Sequence, residues 1–369
     1  MAPLWEIITG RDCNLRCSYC YDHEKAAGCN TQENVEAFLR AAYAEYLQKH
    51  PSVAPTLCFI GGEPLLHPEL IDAALTVWHD LNRKYRLSET RCPVITNGTL
   101  IAESKNVQAL LEKWSHSLRF SFSIDGTQKT HDAFRVDLQG NGSWNRAIEG
   151  YKIARQFVGE SSCRAKATFS RETVTHFSDG VIELFEQGFS IVHATTMYEI
   201  CWNEEETPYV YSLFRPLINY LLEHERFKRL NFRPLPIELP ETGCMTMNRA
   251  CSCYQNGSMC LGLNGLVYGC HRMACASRLR PHRKVTKSGF EEISPELPRI
   301  GLNVWKYRPE KCRSCFLGAV CIHCANSIFE YDFDDLTAFH KVYSPCGWTK
   351  GMYAAQLDFA RRVQALGGR

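Results

Sequence analysis

A chain of 369 residues has room for two or three domains and a substantial core, which excludes a short disulfide scaffold or an isolated binding module. Its 42 Lys and Arg against 40 Asp and Glu leave +2, too weak a summed field to hold nucleic acid or an anionic membrane, and 45% hydrophobic with 22% charged residues excludes wholesale disorder. The anomaly is 19 cysteines in a chain with no secretory signal after Met1 and no apolar run near the ~18 residues of a membrane span, so a cytoplasmic address and metal ligation are expected rather than disulfides.

Short apolar runs alternate with helical patterns through the first two hundred residues. Strands are predicted at 4–9, 56–60, 94–96, 118–124, 164–169 and 190–196, and amphipathic helices at 32–47, 69–84, 103–114, 144–157 and 177–187. Six repeated units imply a parallel sheet, because parallel neighbours need crossovers of this length. They fall short of the eight that close a full barrel, so the expected fold class is α/β with a partial (β/α)6 barrel. A further helix is predicted at 208–226, and Pro234, Pro236 and Pro240 give 232–242 the character of an extended bridge. Beyond it secondary structure is sparse and cysteines are frequent, as in a small domain stapled by metal; a last helix follows at 351–366. Three segments are expected: a barrel over 1–205, a helical and Pro-rich bridge over 206–245, and a cysteine-rich domain over 246–369.

Five cysteines, Cys29, Cys58, Cys92, Cys163 and Cys201, are scattered singly and read as small buried hydrophobes. The others cluster. Cys13-Asn-Leu-Arg-Cys17-Ser-Tyr-Cys20 follows directly on the first strand, where α/β barrels place their chemistry. Three thiolates can hold three irons of a four-iron cluster and leave the fourth open to a ligand. Zinc with His23 as a fourth ligand is the alternative.

This string resembles the radical S-adenosylmethionine (SAM) enzymes. In that family SAM chelates the open iron, and its reductive cleavage yields a 5′-deoxyadenosyl radical that abstracts a hydrogen atom from substrate. The resemblance implies that Gly61, Gly62 and Glu63 hold the amino group of SAM and that Asn97 ends the third strand as in relatives. It further implies that Ser123 is a polar contact to SAM, that Arg135 binds its carboxylate, that Tyr19 lines the adenine side, and that Met197 supplies main-chain contacts.

The later cysteines resemble the SPASM extension, which carries two auxiliary four-iron clusters in radical SAM enzymes acting on peptides and proteins. By that pattern Cys312, Cys315, Cys321 and Cys346 hold the second auxiliary cluster, and Cys253, Cys270, Cys324 and one more hold the first. The extra ligand is Cys244, Cys251 or Cys260; Cys251 or Cys244 is preferred, because Cys260 falls in an apolar run expected to form a hairpin strand before Gly265. Relatives space the Cys321 and Cys324 pair by three residues where this chain has two. A zinc ribbon built from the paired knuckles is the alternative, and Cys275 is either a ligand or a surplus thiol.

Resemblance is strongest to the anaerobic sulfatase-maturating enzymes and their peptide-modifying kin. Those maturases carry a catalytic aspartate after the cysteine matching Cys270; here that place is His271, a possible base. The expected function is therefore an oxidative cross-link, carbon–carbon or thioether, in a ribosomally made peptide, with an auxiliary cluster accepting the last electron. Conversion of Cys or Ser to formylglycine in a sulfatase is one rival, and a non-catalytic zinc or iron-sulfur scaffold is another. A precursor peptide or protein and a flavodoxin- or ferredoxin-type reductant are the implied partners. The chain starts at the first barrel strand, so leader recognition is expected from the barrel, the bridge at 207–242 or another protein.

Overall fold

The computed structural model describes residues 2–22, 25, 28–197, 199–236, 238–239, 242, 254–275, 279–321, 324–332 and 334–367. His23, Cys244, Cys251 and Cys253 lie outside the described residues.

Seven strands run parallel in chain order: β1 (Leu4–Ile8), β2 (Thr56–Ile60), β3 (Cys92–Thr96), β4 (Leu118–Ser123), β5 (Cys163–Phe169), β6 (Ile191–Thr196) and β7 (Asn231–Phe232). Six were expected; the seventh is two residues from the Pro-rich bridge, added to the free side of β6 before Pro234 removes the next donor. On the other side, β8 (Met259–Leu261) pairs parallel with β1. The strands β9 (Leu266–Tyr268), β10 (Arg283–Thr286) and β11 (Gly289–Glu292) then follow antiparallel, making one eleven-stranded sheet. The hairpin expected around Gly265 is thus present, and it extends the barrel sheet.

Alternation decides which face of each strand meets the helices. In β4, Leu118, Phe120 and Phe122 are buried against them; in β5 this holds for Cys163, Ala165 and Ala167, and in β6 for Val192 and Ala194. The opposite, inner face of these strands is polar. Helix Gln32–Leu47 starts where the Thr31 hydroxyl accepts the Asn34 N–H at 3.2 Å, and it lays Val35, Phe38, Leu39 and Tyr43 on the sheet. Trp5 of β1 receives that face, with Phe38 and Tyr43 edge-on at 6.2 and 5.1 Å between ring centroids.

Three helices differ from expectation; the one predicted at 208–226 runs Thr207–Leu222, because His224 and Glu225 take positive φ and break it. The stretch 103–114 divides into Leu100–Glu103 and Lys105–Trp114, because the Ser104 side chain caps the second by accepting the Val107 N–H. The last helix is Cys346–Gly367, so Cys346 is its first residue. Trp348 in its first turn packs within 5.7 Å of Phe177, Trp202 and Phe214, which fixes this helix to the barrel's outer layer. Among the described residues no helix is long and apolar enough to cross a membrane.

Candidate functional site

The loop carrying Cys13, Cys17 and Cys20 lies over the C-terminal edge of the sheet, held from two sides. On one side the Gly62 N–H donates to the Gly10 carbonyl at 3.0 Å and the Glu63 N–H to the Asp12 carbonyl at 2.9 Å. On the other the Arg16 N–H donates to the Val136 carbonyl at 2.7 Å and the Ser18 N–H to the Phe134 carbonyl at 3.0 Å. A methyl group at Gly61 would lie 2.1 Å from the Gly10 carbonyl oxygen, and one at Gly62 would lie 2.1 Å from that of Asp12. Gly61 also takes a φ of +148°. The glycines are therefore required by the approach of the cysteine loop's own backbone.

The three thiols are half-buried and unbridged. Burial first, and the Glu63 charge second, pushes the Cys13 thiol up to about 12, and burial raises Cys20 as well. Thiolates in this pocket need cationic charge beside them, which is the chemistry of a metal or iron-sulfur donor set.

Glu63 does not present a free carboxylate. It accepts the Thr96 hydroxyl at 2.6 Å, the Asn97 N–H at 2.7 Å and the Leu65 N–H at 3.1 Å, and burial still raises it to about 7. The Asn97 amide donates to Asn14 at 2.8 Å, and the Asn14 amide donates to the Thr99 hydroxyl at 2.8 Å. The end of β3, the turn after β2 and the cysteine loop are one hydrogen-bonded unit.

A second hub lies at the end of β4. Asp125, 2% exposed, accepts Arg135 through Nε at 2.7 Å and Nη2 at 3.2 Å, the Thr168 N–H at 2.8 Å, and the Tyr19 hydroxyl. Arg135 is thus anchored rather than free. Its remaining Nη1 stands 3.9 Å from Cys17 Sγ, and its cation lies 5.2 Å from the Tyr19 ring centroid. Ser123 is on the inner face beside Lys166 in register. The Met197 N–H is taken by the Phe169 carbonyl at 3.1 Å.

His271 meets a residue that periodicity did not single out. Glu6, the one charged residue of β1, accepts both the His271 N–H and its Nδ1 at 2.8 Å. Burial disfavours the imidazolium, but the charge and hydrogen bond of Glu6 outweigh it and hold the His271 pKa above its ordinary value. A carboxylate interrupting Leu-Trp-Glu-Ile-Ile is the sequence signal that this strand faces something polar.

Cys312, Cys315, Cys321 and Cys346 surround a cavity of about 80 Å³. Arg308 lines it, 2% exposed; its Nη2 donates to the Cys321 carbonyl at 3.4 Å, and its Nε is buried with no hydrogen-bond partner. Four thiols around a space, beside a buried guanidinium with an unanswered N–H, fit an anionic cluster. Among the described residues no group of three His, Cys, Asp or Glu is placed to hold a single metal ion. Of the other proposed set, Cys270 precedes helix His271–Cys275 and Cys324 precedes helix Ala325–Tyr331. Cys324 also lines a cavity of about 300 Å³, together with Met197, Trp202, Arg233, Tyr343 and Trp348, between the end of β6 and the C-terminal third.

The remaining thiols are sorted by burial. Cys260 on β8 and Cys275 pack with Ile8, Ile60, Ile328 and Phe329 in a small apolar cluster. Cys58, Cys92 and Cys163 are buried as expected, but Cys29 is exposed and Cys201 half-buried, because both sit in loops flanking the sheet edge rather than in its strands.

Residues 7–163 match the model of the Radical SAM superfamily. A cysteine-type anaerobic sulfatase-maturating enzyme of Clostridium novyi is 29% identical over 163 residues, covering 40% of this chain and 39% of that protein. The chain spans about two fifths of the length of the curated relatives first matched. Among solved structures, anSMEcpe with bound AdoMet and the Cp18Cys peptide superposes with a TM-score of 0.71 at 16% identity, covering 99% of each chain. Streptococcus suis SuiB bound to its precursor peptide SuiA does so with a TM-score of 0.54 at 16% identity, covering 89% of this chain and 73% of that one. Residues 7–163, which carry the cysteine loop, its glycine floor and the first strands beneath them, are therefore similar to the Radical SAM superfamily, on a fold shared with anSMEcpe and SuiB.

Proposed function

We propose that this protein is a radical SAM maturase of a peptide or protein, and that its product is an oxidative cross-link in a ribosomally made peptide. The observation that carries it is that one chain presents a three-cysteine loop after its first strand and a separate four-cysteine ring, whose cavity shares Tyr343, Ser344 and Pro345 with the larger cavity of about 300 Å³. Cys13, Cys17 and Cys20 would hold a four-iron cluster that, with SAM, supplies a carbon-centred radical able to take a hydrogen atom. Cys312, Cys315, Cys321 and Cys346 would hold a second cluster, and Cys253, Cys270 and Cys324 with one further cysteine, Cys251 or Cys244, a third.

The chain's own residues do the positioning. Asp125 holds Arg135 with one amino group turned to Cys17, where a carboxylate of SAM would find it. Glu63 holds the ends of two strands rather than a ligand, so the amino group of SAM would meet main-chain oxygens of the glycine turn. Glu6 fixes the His271 tautomer by occupying Nδ1, leaving Nε2 as the atom able to exchange a proton. Formylglycine formation is the second reading, favoured by the sulfatase-maturating relatives.

Anaerobic purification with cluster reconstitution tests the proposal: about twelve irons per chain and absorbance near ~400 nm are expected for three clusters. Cys17→Ala should abolish 5′-deoxyadenosine formation, measured by chromatography; persistence of that product overturns the assignment of the cysteine loop. Mass spectrometry of a treated peptide separates the two chemistries, since a cross-link removes two hydrogens and formylglycine converts a side chain to an aldehyde.

A further inference from the structure

On strands β4 to β7 the inner face of the sheet carries cations without acidic residues. Because Phe120 and Phe122, Ala165 and Ala167, Val192 and Ala194, and Phe232 all face the helices, alternation turns Arg119, Arg164, Lys166, His193 and Arg233 to the opposite side. Register makes them neighbours: Ser121 pairs with Arg164, Ser123 with Lys166, and Lys166 with His193, while the Arg233 N–H donates to the Val192 carbonyl at 3.0 Å. Nearby arginines are answered, Arg135 by Asp125 and Arg272 by Glu199. Among the described residues Arg119, Arg164, Lys166 and Arg233 have no ion pair, and Arg119 Nε is buried with no partner. Glu6, the acid on the inner face of β1, is committed to His271.

These groups feel one another. Burial first, then the charges of Arg119 and Arg233, lowers the pKa of Arg164; burial, then Lys166, Arg164 and Arg233, lowers that of His193 to about 4. Such repulsion is not a property of the whole chain, whose formal charge is +2. It is concentrated on four adjacent strands, and Arg233 and His193 also line the cavity of about 300 Å³.

We propose that this row of cations is the substrate-recognition surface, and that the peptide it takes is acidic, with Glu or Asp carboxylates laid across β4 to β7. The α-carboxylate of SAM is a single charge and cannot answer a row this long. Three strand spacings separate Arg119 from Arg233, roughly 14 Å, which exceeds the reach of one phosphate and suits carboxylates spaced along an extended peptide. Planar guanidinium forks favour such groups. The inference rests on the maturase reading and specifies its substrate class.

The test uses the full reconstituted chain and three fluorescent peptides that share their apolar residues but carry Glu, Gln or Lys at alternate positions. By anisotropy the Glu peptide should bind at least about tenfold tighter than the Gln peptide, and the Lys peptide weakest. The doubly substituted Arg164→Gln, Arg233→Gln protein should bind Glu and Gln peptides alike. Lys166→Gln, at a position open to the lumen, should reduce the ratio and provides the second variant if the double one does not fold. Equal binding of Glu and Gln peptides by the parent, a Glu preference that survives both variants, or displacement of the Glu peptide by inorganic phosphate as readily as by unlabelled peptide overturns the proposal. A Glu preference in a protein that forms no 5′-deoxyadenosine supports the anion surface while overturning the maturase reading, so the two failures are distinguishable.

Discussion

Arg308 is a charge placed where burial alone would forbid it. Removing a guanidinium from water costs several kcal/mol unless an anion receives it, and its Nε has no partner while the thiols of Cys312, Cys315 and Cys321 surround it. A cation beside a cluster stabilises the reduced, more negative state, so Arg308→Gln should lower the midpoint potential of that cluster by on the order of 60 mV, with recovery in Arg308→Lys. A redox titration followed by electron paramagnetic resonance reads this; unchanged potential with altered iron content would show a packing role instead. At this scale the sequence is unevenly informative. The spacing of Cys13, Cys17 and Cys20 is local and needs no partner to be recognised, whereas Arg308 and Glu6 acquire meaning only from groups distant in sequence. Glu6 meets His271 across 265 positions.

Elements were legible where their determinants are local. Helix Gln32–Leu47 and strand β2 lie where periodicity predicts, because caps and alternation lie within their own few residues. The pairing of β8 with β1 was not legible. It joins Leu4 to Ser258 by a main-chain hydrogen bond to a side chain 254 residues away, and three-residue strands carry too little pattern to announce a partner. The glycine turn after β2 is an intermediate case: its sequence is recognisable, but its purpose changes once Gly10 and Asp12 are seen above it. Gly61→Ala would force a left-handed φ on a residue with Cβ, costing about 1–3 kcal/mol, and push the Gly10 carbonyl away. The expected result is loss of about four irons per chain and of 5′-deoxyadenosine formation, with the iron of the C-terminal thiols retained; iron analysis and Mössbauer spectra check it.

Across the molecule two kinds of cohesion are combined. The parallel sheet and its helices share a large apolar core that also takes in Met259, Leu261, Val267, Trp348 and Phe359, whereas the described residues of 303–346 contribute Ile328, Phe329 and Phe339 to a smaller cluster with Ile8, Ile60 and Cys260. Oxidative loss of the clusters should therefore leave most of the far-ultraviolet circular dichroism while opening the stretch 303–346 to protease, because ligation supplies folding free energy that this stretch lacks. Cleavage equally spread over the barrel would contradict this division. The shared sheet has another consequence, for association between molecules. A partial barrel leaves two strand edges with unpaired N–H and C=O groups, each a template for sticking to another chain. Here β8 covers the β1 side and passes the edge outward to β11, which ends in Glu291 and Glu292, while the opposite edge is β7, two residues long and followed by prolines. The open side of the barrel thus offers no long flat strand on which copies of the protein would aggregate.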